Sequence, residues 1–163
     1  MTDADGRLPT LGWREWVGFP DHGVEWVKAK VDTGARTSSL HAFDLHTFVV
    51  DGQPWVRFEV HPWQRSTGDA VVVEAPVVDV RMVRPSTGDP QMRPVVRMPV
   101  RIANRIRTVE FTLTRRDTMG FRMLLGRQAV RHHFLVDPGR SYLGGRPPKK
   151  TRAANLAREV EES

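Results

Sequence analysis

Trp26-Val27-Lys28-Ala29-Lys30-Val31 runs directly into Asp32-Thr33-Gly34-Ala35-Arg36-Thr37-Ser38-Ser39-Leu40-His41. The first part reads as a half-buried strand, with Val24, Trp26, Ala29 and Val31 as its apolar positions. A carboxylate at the end of a buried strand, followed by Thr and Gly, has a definite physical use. Gly lets backbone N–H groups approach the carboxylate closely, and such donors hold it ionised and oriented. The Thr33 hydroxyl can reach a neighbouring backbone or a second copy of the same loop. Asp-Thr-Gly is also an ordinary turn with an Asx-type bond, so the tripeptide alone decides little.

Working outward, short apolar bursts continue in both directions. Trp13, Trp16 and Phe19 form one burst before the turn Pro20-Asp21-His22-Gly23, which predicts two strands between Leu11 and Val31. Further strands are predicted over Leu45–Val50, Pro54–Val60, Ala70–Val80, Val95–Ala103 and Arg107–Leu113. Asp51-Gly52 is a strong hairpin signal, and Asn104-Arg105 plays a weaker part between the last pair. Ser-Thr-Gly-Asp occurs at Ser66–Asp69 and again at Ser86–Asp89, consistent with turn chemistry at either end of a β-branched run. Phe121-Arg122-Met123-Leu124-Leu125 reads as an apolar strand closed by Gly126, and Gly126–His132 as the one short helix. The expectation is an all-β domain over residues 12–145. A flexible N-terminus, 1–11, precedes it, and a charged, disordered tail, 146–163, follows Pro147-Pro148.

Composition narrows the classes. The chain has 163 residues, 39% hydrophobic and 27% charged, which suits one globular domain with a real core. No apolar run approaches the roughly 20 residues that cross a bilayer. Met1–Thr10 is too polar for the apolar core of a signal peptide. Cysteine is absent, which excludes disulfides and thiolate metal sites and makes the cytoplasm the expected compartment. The net charge of +6 comes from Arg residues scattered along the chain, with one basic run at Arg146–Arg152. Spread charge of this kind suits a solvated face or acidic ligands better than a nucleic-acid groove.

Strand, Asp-Thr-Gly-Ala, all-β middle and then Leu-Leu-Gly together resemble the retroviral type of aspartic peptidase. A closer resemblance covers residues 12–143. Lys28–Ala42, Trp55–Phe58, Arg93–Arg97, Met123–Arg127 and Phe134–Pro138 are similar, in order, to the bacterial family called ATP-dependent zinc proteases. That family is retropepsin-like, RimB-like, and associated with RimK-type glutamate ligases. The resemblance implies a closed β-barrel with one short C-terminal helix. It implies Asp32, Thr33 and Gly34 as the catalytic loop, with Ala35 and His41 in the same motif toward the substrate. Arg36 and Arg127, beside the two motifs, are candidates for an acidic-substrate contact or for ordinary surface salt bridges, and Gly68 for the substrate cover.

The inherited family name does not match the residues. ATP use calls for a Gly-rich phosphate loop with Lys and Ser or Thr, and a common zinc peptidase carries His-Glu-x-x-His. Neither pattern occurs, so no cofactor and no metal site is expected. Of six histidines, His41 alone lies inside the family motif, and a zinc-dependent peptidase using it is a second reading.

Aspartic peptidases need two carboxylates sharing one proton, and this chain has a single Asp-Thr-Gly. The expected state is therefore a homodimer pairing Asp32 with its symmetry mate. The resemblance implies as partners a protein or peptide substrate carrying added glutamates, and a RimK-type ligase. Gln64–Ala70, around Gly68, is the expected substrate cover. A further alternative is a module that binds acidic tails or a ligase without cleaving anything.

Overall fold

The structure is a computed structural model that describes residues 7–62, 70–84, 88–115 and 120–148. Eleven strands, one α-helix and one turn of 3-10 helix (Pro20–His22) lie among these residues, with β1 at Thr10–Leu11, β2 at Arg14–Phe19 and β3 at Val24–Val31. They continue with β4 at Ser38–His41, β5 at Phe43–Val50, β6 at Gln53–Val60, β7 at Val71–Val83 and β8 at Gln91–Ile102. The chain then forms β9 at Arg105–Thr114, β10 at Met123–Leu125, helix α1 at Arg127–Val130 and β11 at Leu135–Val136.

Nine strands form one sheet in the order β2-β3-β10-β4-β9-β8-β7-β6-β5. Val17 and Gly18 of β2 also pair with Ile102 and Arg101 of β8. That extra pairing joins β2, β3, β10, β4, β9 and β8 into a closed six-stranded barrel. Closure removes two sheet edges that would otherwise expose unpaired backbone groups. β7, β6 and β5 continue outward from β8 as an antiparallel meander. The all-β barrel with one short helix expected from the sequence is what forms.

Period-two alternation explains how the core is filled. Val27, Ala29 and Val31 of β3 point inward, as do Met98, Val100 and Ile102 of β8, and Phe111 and Leu113 of β9. Val56, Phe58 and Val60 of β6 extend the same core beneath the meander. The β5–β6 turn has the form its sequence demands, with Asp51 at φ 50° and Gly52 at φ 78°, both left-handed. The turn between β8 and β9 is displaced by one residue from Asn104-Arg105. Ile102 pairs with Arg105, so Ala103 and Asn104 are the turn residues, and Ala103 takes the positive φ of 54°. Side-chain chemistry points to Asn104 for that geometry. The register of two long strands imposes it on Ala103 instead.

Glu15 gives the fold its least expected contact. It is 1% exposed in β2, and its carboxylate accepts three backbone hydrogen bonds. Gly12 N–H (2.6 Å) and Leu143 N–H (3.0 Å) donate to Oε2, and Gly144 N–H (2.7 Å) donates to Oε1. A buried carboxylate is tolerated when donors surround it, and here they come from both ends of the domain. Trp16 stacked on Tyr142, and Arg14 Nε donating to Ser141 Oγ at 3.1 Å, fasten the same junction.

Candidate active site

Asp32 follows the last residue of β3, and its loop is built by a strand from far along the chain. β10 inserts between β3 and β4, parallel to β3 (Leu125 opposite Val31) and antiparallel to β4 (Met123 opposite Leu40). Asp32 N–H donates to Leu125 O at 2.9 Å, which anchors the residue to β10. Gly34 N–H donates to Asp32 Oδ1 at 3.0 Å, and Ala35 N–H donates to Asp32 O at 3.2 Å. A Cβ on Gly34 would lie 3.2 Å from Asp32 Oδ1, so the glycine leaves room for that approach.

The other wall is Gly126 with α1. Gly126 N–H donates to Ser38 Oγ at 3.0 Å, and Arg127 N–H donates to Ala35 O at 2.7 Å. Gln128 N–H donates to Arg36 O at 3.1 Å. Arg127 also sends Nη1 to Thr33 O at 3.1 Å, so one residue grips the loop by main chain and side chain. A Cβ on Gly126 would stand 2.3 Å from Thr37 O. Only glycine lets the two segments meet so closely.

The structure therefore brings together Asp32, Thr33, Gly34, Ala35, Arg36 and Arg127. Asp32 is partly exposed, and Thr33, Gly34, Arg36 and Arg127 are exposed. Each chain thus presents one oriented carboxylate on an open loop. His41 sits elsewhere, in β4, 5% exposed, with its ring edge-on to Phe43 at 4.4 Å between centroids. His61 stacks on the same Phe43 at 3.9 Å, and the Arg122 guanidinium lies 5.3 Å from its centre. His41 thus belongs to a buried aromatic and cationic cluster. Among the described residues no group of three His, Cys, Asp or Glu side chains is placed to hold a metal. Gly68, with the rest of Gln64–Asp69, lies outside the described residues.

Two features escaped the sequence reading. Ser38 is 3% exposed and holds the Gly126 N–H, yet nothing sets it apart from Thr37 and Ser39 until β10 is in place. The other is the long hairpin of β7 and β8. Val80 pairs with Pro94 and Met82 with Met92, and the side chains of these partners share one face of the hairpin. Val80 is 50% exposed, Met82 61% and Met92 59%. These side chains leave an exposed apolar face on the hairpin.

A family model described as RimB-like, the retropepsin-like aspartic endopeptidase RimB, matches residues 10–147. The chain belongs to the RimB-like family. The matched description names an aspartic endopeptidase, and it lends no support to the zinc protease wording of the inherited family name. RimB-like sequence also occurs within larger proteins. A probable alpha-L-glutamate ligase of Desulfotalea psychrophila is 44% identical over 128 residues, 78% of this chain and 28% of that protein. One of Shewanella pealeana is 45% identical over 135 residues, 83% of this chain and 30% of that protein. The chain thus spans under a third of the length of these curated relatives. Among solved structures, a Legionella pneumophila protein of unknown function, Lpg0085 (DUF785), superposes with a TM-score of 0.70. It is 28% identical, and the match covers 83% of this chain and 98% of that one.

Proposed function

We propose that this RimB-like chain is an aspartic endopeptidase, active as a homodimer and acting on proteins extended with glutamate. The observation that carries the reading is the Asp32 loop, where one oriented, solvent-facing carboxylate per chain is braced by Leu125, Gly126 and Arg127. Two such loops meeting on a two-fold axis form a dyad in which one carboxyl stays protonated, because like charges at contact distance cannot both ionise. The ionised member takes a proton from water, whose oxygen attacks the scissile carbonyl carbon. The protonated member gives its proton to the carbonyl oxygen. Collapse of the gem-diol, with a proton passed to the amide nitrogen, breaks the C–N bond. Thr33, exposed on the same loop, is the proposed hydroxyl contact to the partner loop.

The relatives' printed names support the substrate class. A domain found in the same chain as a glutamate ligase suits a protein that trims, or works beside, what such a ligase makes. The ligase name belongs to the larger proteins, of which this segment matches under a third. The apolar face of the β7–β8 hairpin is a second candidate for the substrate cover, beside Gln64–Ala70. Arg36 and Ala35 remain the proposed substrate contacts on the loop.

The test pairs cleavage with assembly. Wild type should sediment as a dimer and shorten a glutamate-extended protein, while Asp32→Asn should lose cleavage and keep the dimer. Cleavage that survives Asp32→Asn, or that a strictly monomeric protein performs, refutes the mechanism. Binding of the extended protein with no cleavage by wild type would favour the non-catalytic module.

A further inference from the structure

The cations that look scattered in the sequence are partly gathered by the fold. Arg107, near the start of β9, donates from Nε to Ala129 O at 3.0 Å. Arg105 donates from Nη1 to His133 O at 3.5 Å, and its guanidinium lies 5.9 Å from the centre of the Phe134 ring. These two contacts lay the first residues of β9 against the turn Arg131-His132-His133 that follows α1. Arg131 and His132 are exposed, and Arg105, Arg107 and His133 are half-buried. The ridge begins about one helical turn from Arg127, whose guanidinium touches Thr33 O.

Among the described residues, no carboxylate pairs with any of these five groups. Arg81 and Arg97 differ, since both close on Glu110. The electrostatics agree with the geometry. Burial holds the His133 imidazole below its usual value, and the positive charges of Arg107, Arg105 and His132 push it further down. Burial also lowers Arg107. A helix of four residues has too small a dipole to account for so many cations at its end. Uncompensated like charges in one place are a standing demand for an anion.

We propose that this ridge, formed by Arg105, Arg107, Arg131, His132 and His133, binds a run of carboxylates next to the Asp32 loop. That the carboxylate chain belongs to a substrate rests on the peptidase reading; the binding itself does not. Carboxylates suit the ridge better than nucleic acid. Its only ring besides the imidazoles, Phe134, is 4% exposed and lies under Arg105, so it offers no stacking face for bases.

The experiment uses Asp32→Asn chain, so that binding is read without turnover, and a fluorescent oligoglutamate peptide followed by anisotropy. The peptide should bind with a steep salt dependence. Arg131→Glu, an exposed change that removes no recorded hydrogen bond, should weaken binding about ten-fold at low salt and flatten that dependence. Arg105→Gln with Arg131→Glu should weaken it further. Affinity should rise as pH falls below the usual imidazole range, where His133, held below it, gains its proton while glutamate side chains, with pKa near about 4.3, stay ionised. Unchanged affinity in both variants overturns the proposal. A single-stranded RNA of equal length binding more tightly than the peptide also overturns it, by reassigning the ridge to phosphates. If the peptide binds through the ridge and wild type never cleaves, the peptidase reading fails and the ridge stands.

Discussion

Gly126→Ala tests whether the joint between β10 and the Asp32 loop is as tight as the structure makes it. Gly126 has φ −85° and ψ 176°, an extended conformation that any residue adopts. Backbone entropy alone would therefore make alanine stabilising, by about 0.4–1 kcal/mol. The steric term has the opposite sign and is larger. The new Cβ would stand 2.3 Å from Thr37 O, 2.5 Å from its carbonyl carbon and 2.9 Å from its nitrogen. All three are backbone atoms and cannot swing aside. Relief requires the two segments to part by about 1 Å, and overpacking of this kind costs about 1–3 kcal/mol. Hydrogen bonds that cross the joint beside Gly126 include Asp32 N–H to Leu125 O, Gly126 N–H to Ser38 Oγ, and Arg127 N–H to Ala35 O. Weakening two of them adds about 1–3 kcal/mol. The net expectation is a loss of about 2–4 kcal/mol. In urea unfolding followed by tryptophan fluorescence, a slope near about 2 kcal/mol/M turns that into a midpoint lower by about 1–2 M, with the slope unchanged. Gly23→Ala is the control, since it has open space around it but φ of +69°, and should cost only about 1 kcal/mol. A Gly126→Ala midpoint equal to or above wild type would refute the close-packing argument. It would also remove the reason for assigning the loop's geometry to β10.

Other expectations follow from single contacts. Glu15→Gln keeps the shape but sets an amide N–H against one of three backbone donors. It should destabilise by about 2–4 kcal/mol in the same unfolding assay, and a loss below about 1 kcal/mol would contradict the three-donor arrangement. Glu110 is held below the usual carboxylate range chiefly by its hydrogen bond from Arg97, with a smaller one from Arg81. A depressed folded-state value means the unfolded chain binds the proton more readily, so this stabilisation is present above the unfolded value and fades as pH drops through the folded one. Glu110→Gln should accordingly flatten the acid limb of a stability–pH curve, and an unchanged limb would show that another group dominates it.

Much of the fold was legible because it is written in local chemistry. Alternating apolar residues in β3 (Val27, Ala29, Val31), β6 (Val56, Phe58, Val60) and β9 (Val109, Phe111, Leu113) predict their own strands, and Asp51-Gly52 announces its hairpin through the φ values only such a pair accepts easily. Asp32, too, stood out early, since strand, carboxylate and glycine adjoin in sequence. The β8–β9 turn was misplaced by one residue because strand register, a non-local quantity, overrode turn preference at Ala103. Ser38 and His41 look alike as motif residues, yet one braces the loop and the other packs against Phe43.

By itself, then, the sequence determined the β character of this RimB-like chain, the carboxylate at its candidate site and the presence of only one such carboxylate per chain. The tertiary structure decided what surrounds it. β10 reaches the Asp32 loop across most of the domain, Glu15 joins the segments around Gly12 and Gly144, and Arg105, Arg107 and the Arg131–His133 turn are brought together. Each of these depends on pairing between segments distant in sequence. Periodicity and turn chemistry act over a few residues and carry no information about which distant strand arrives.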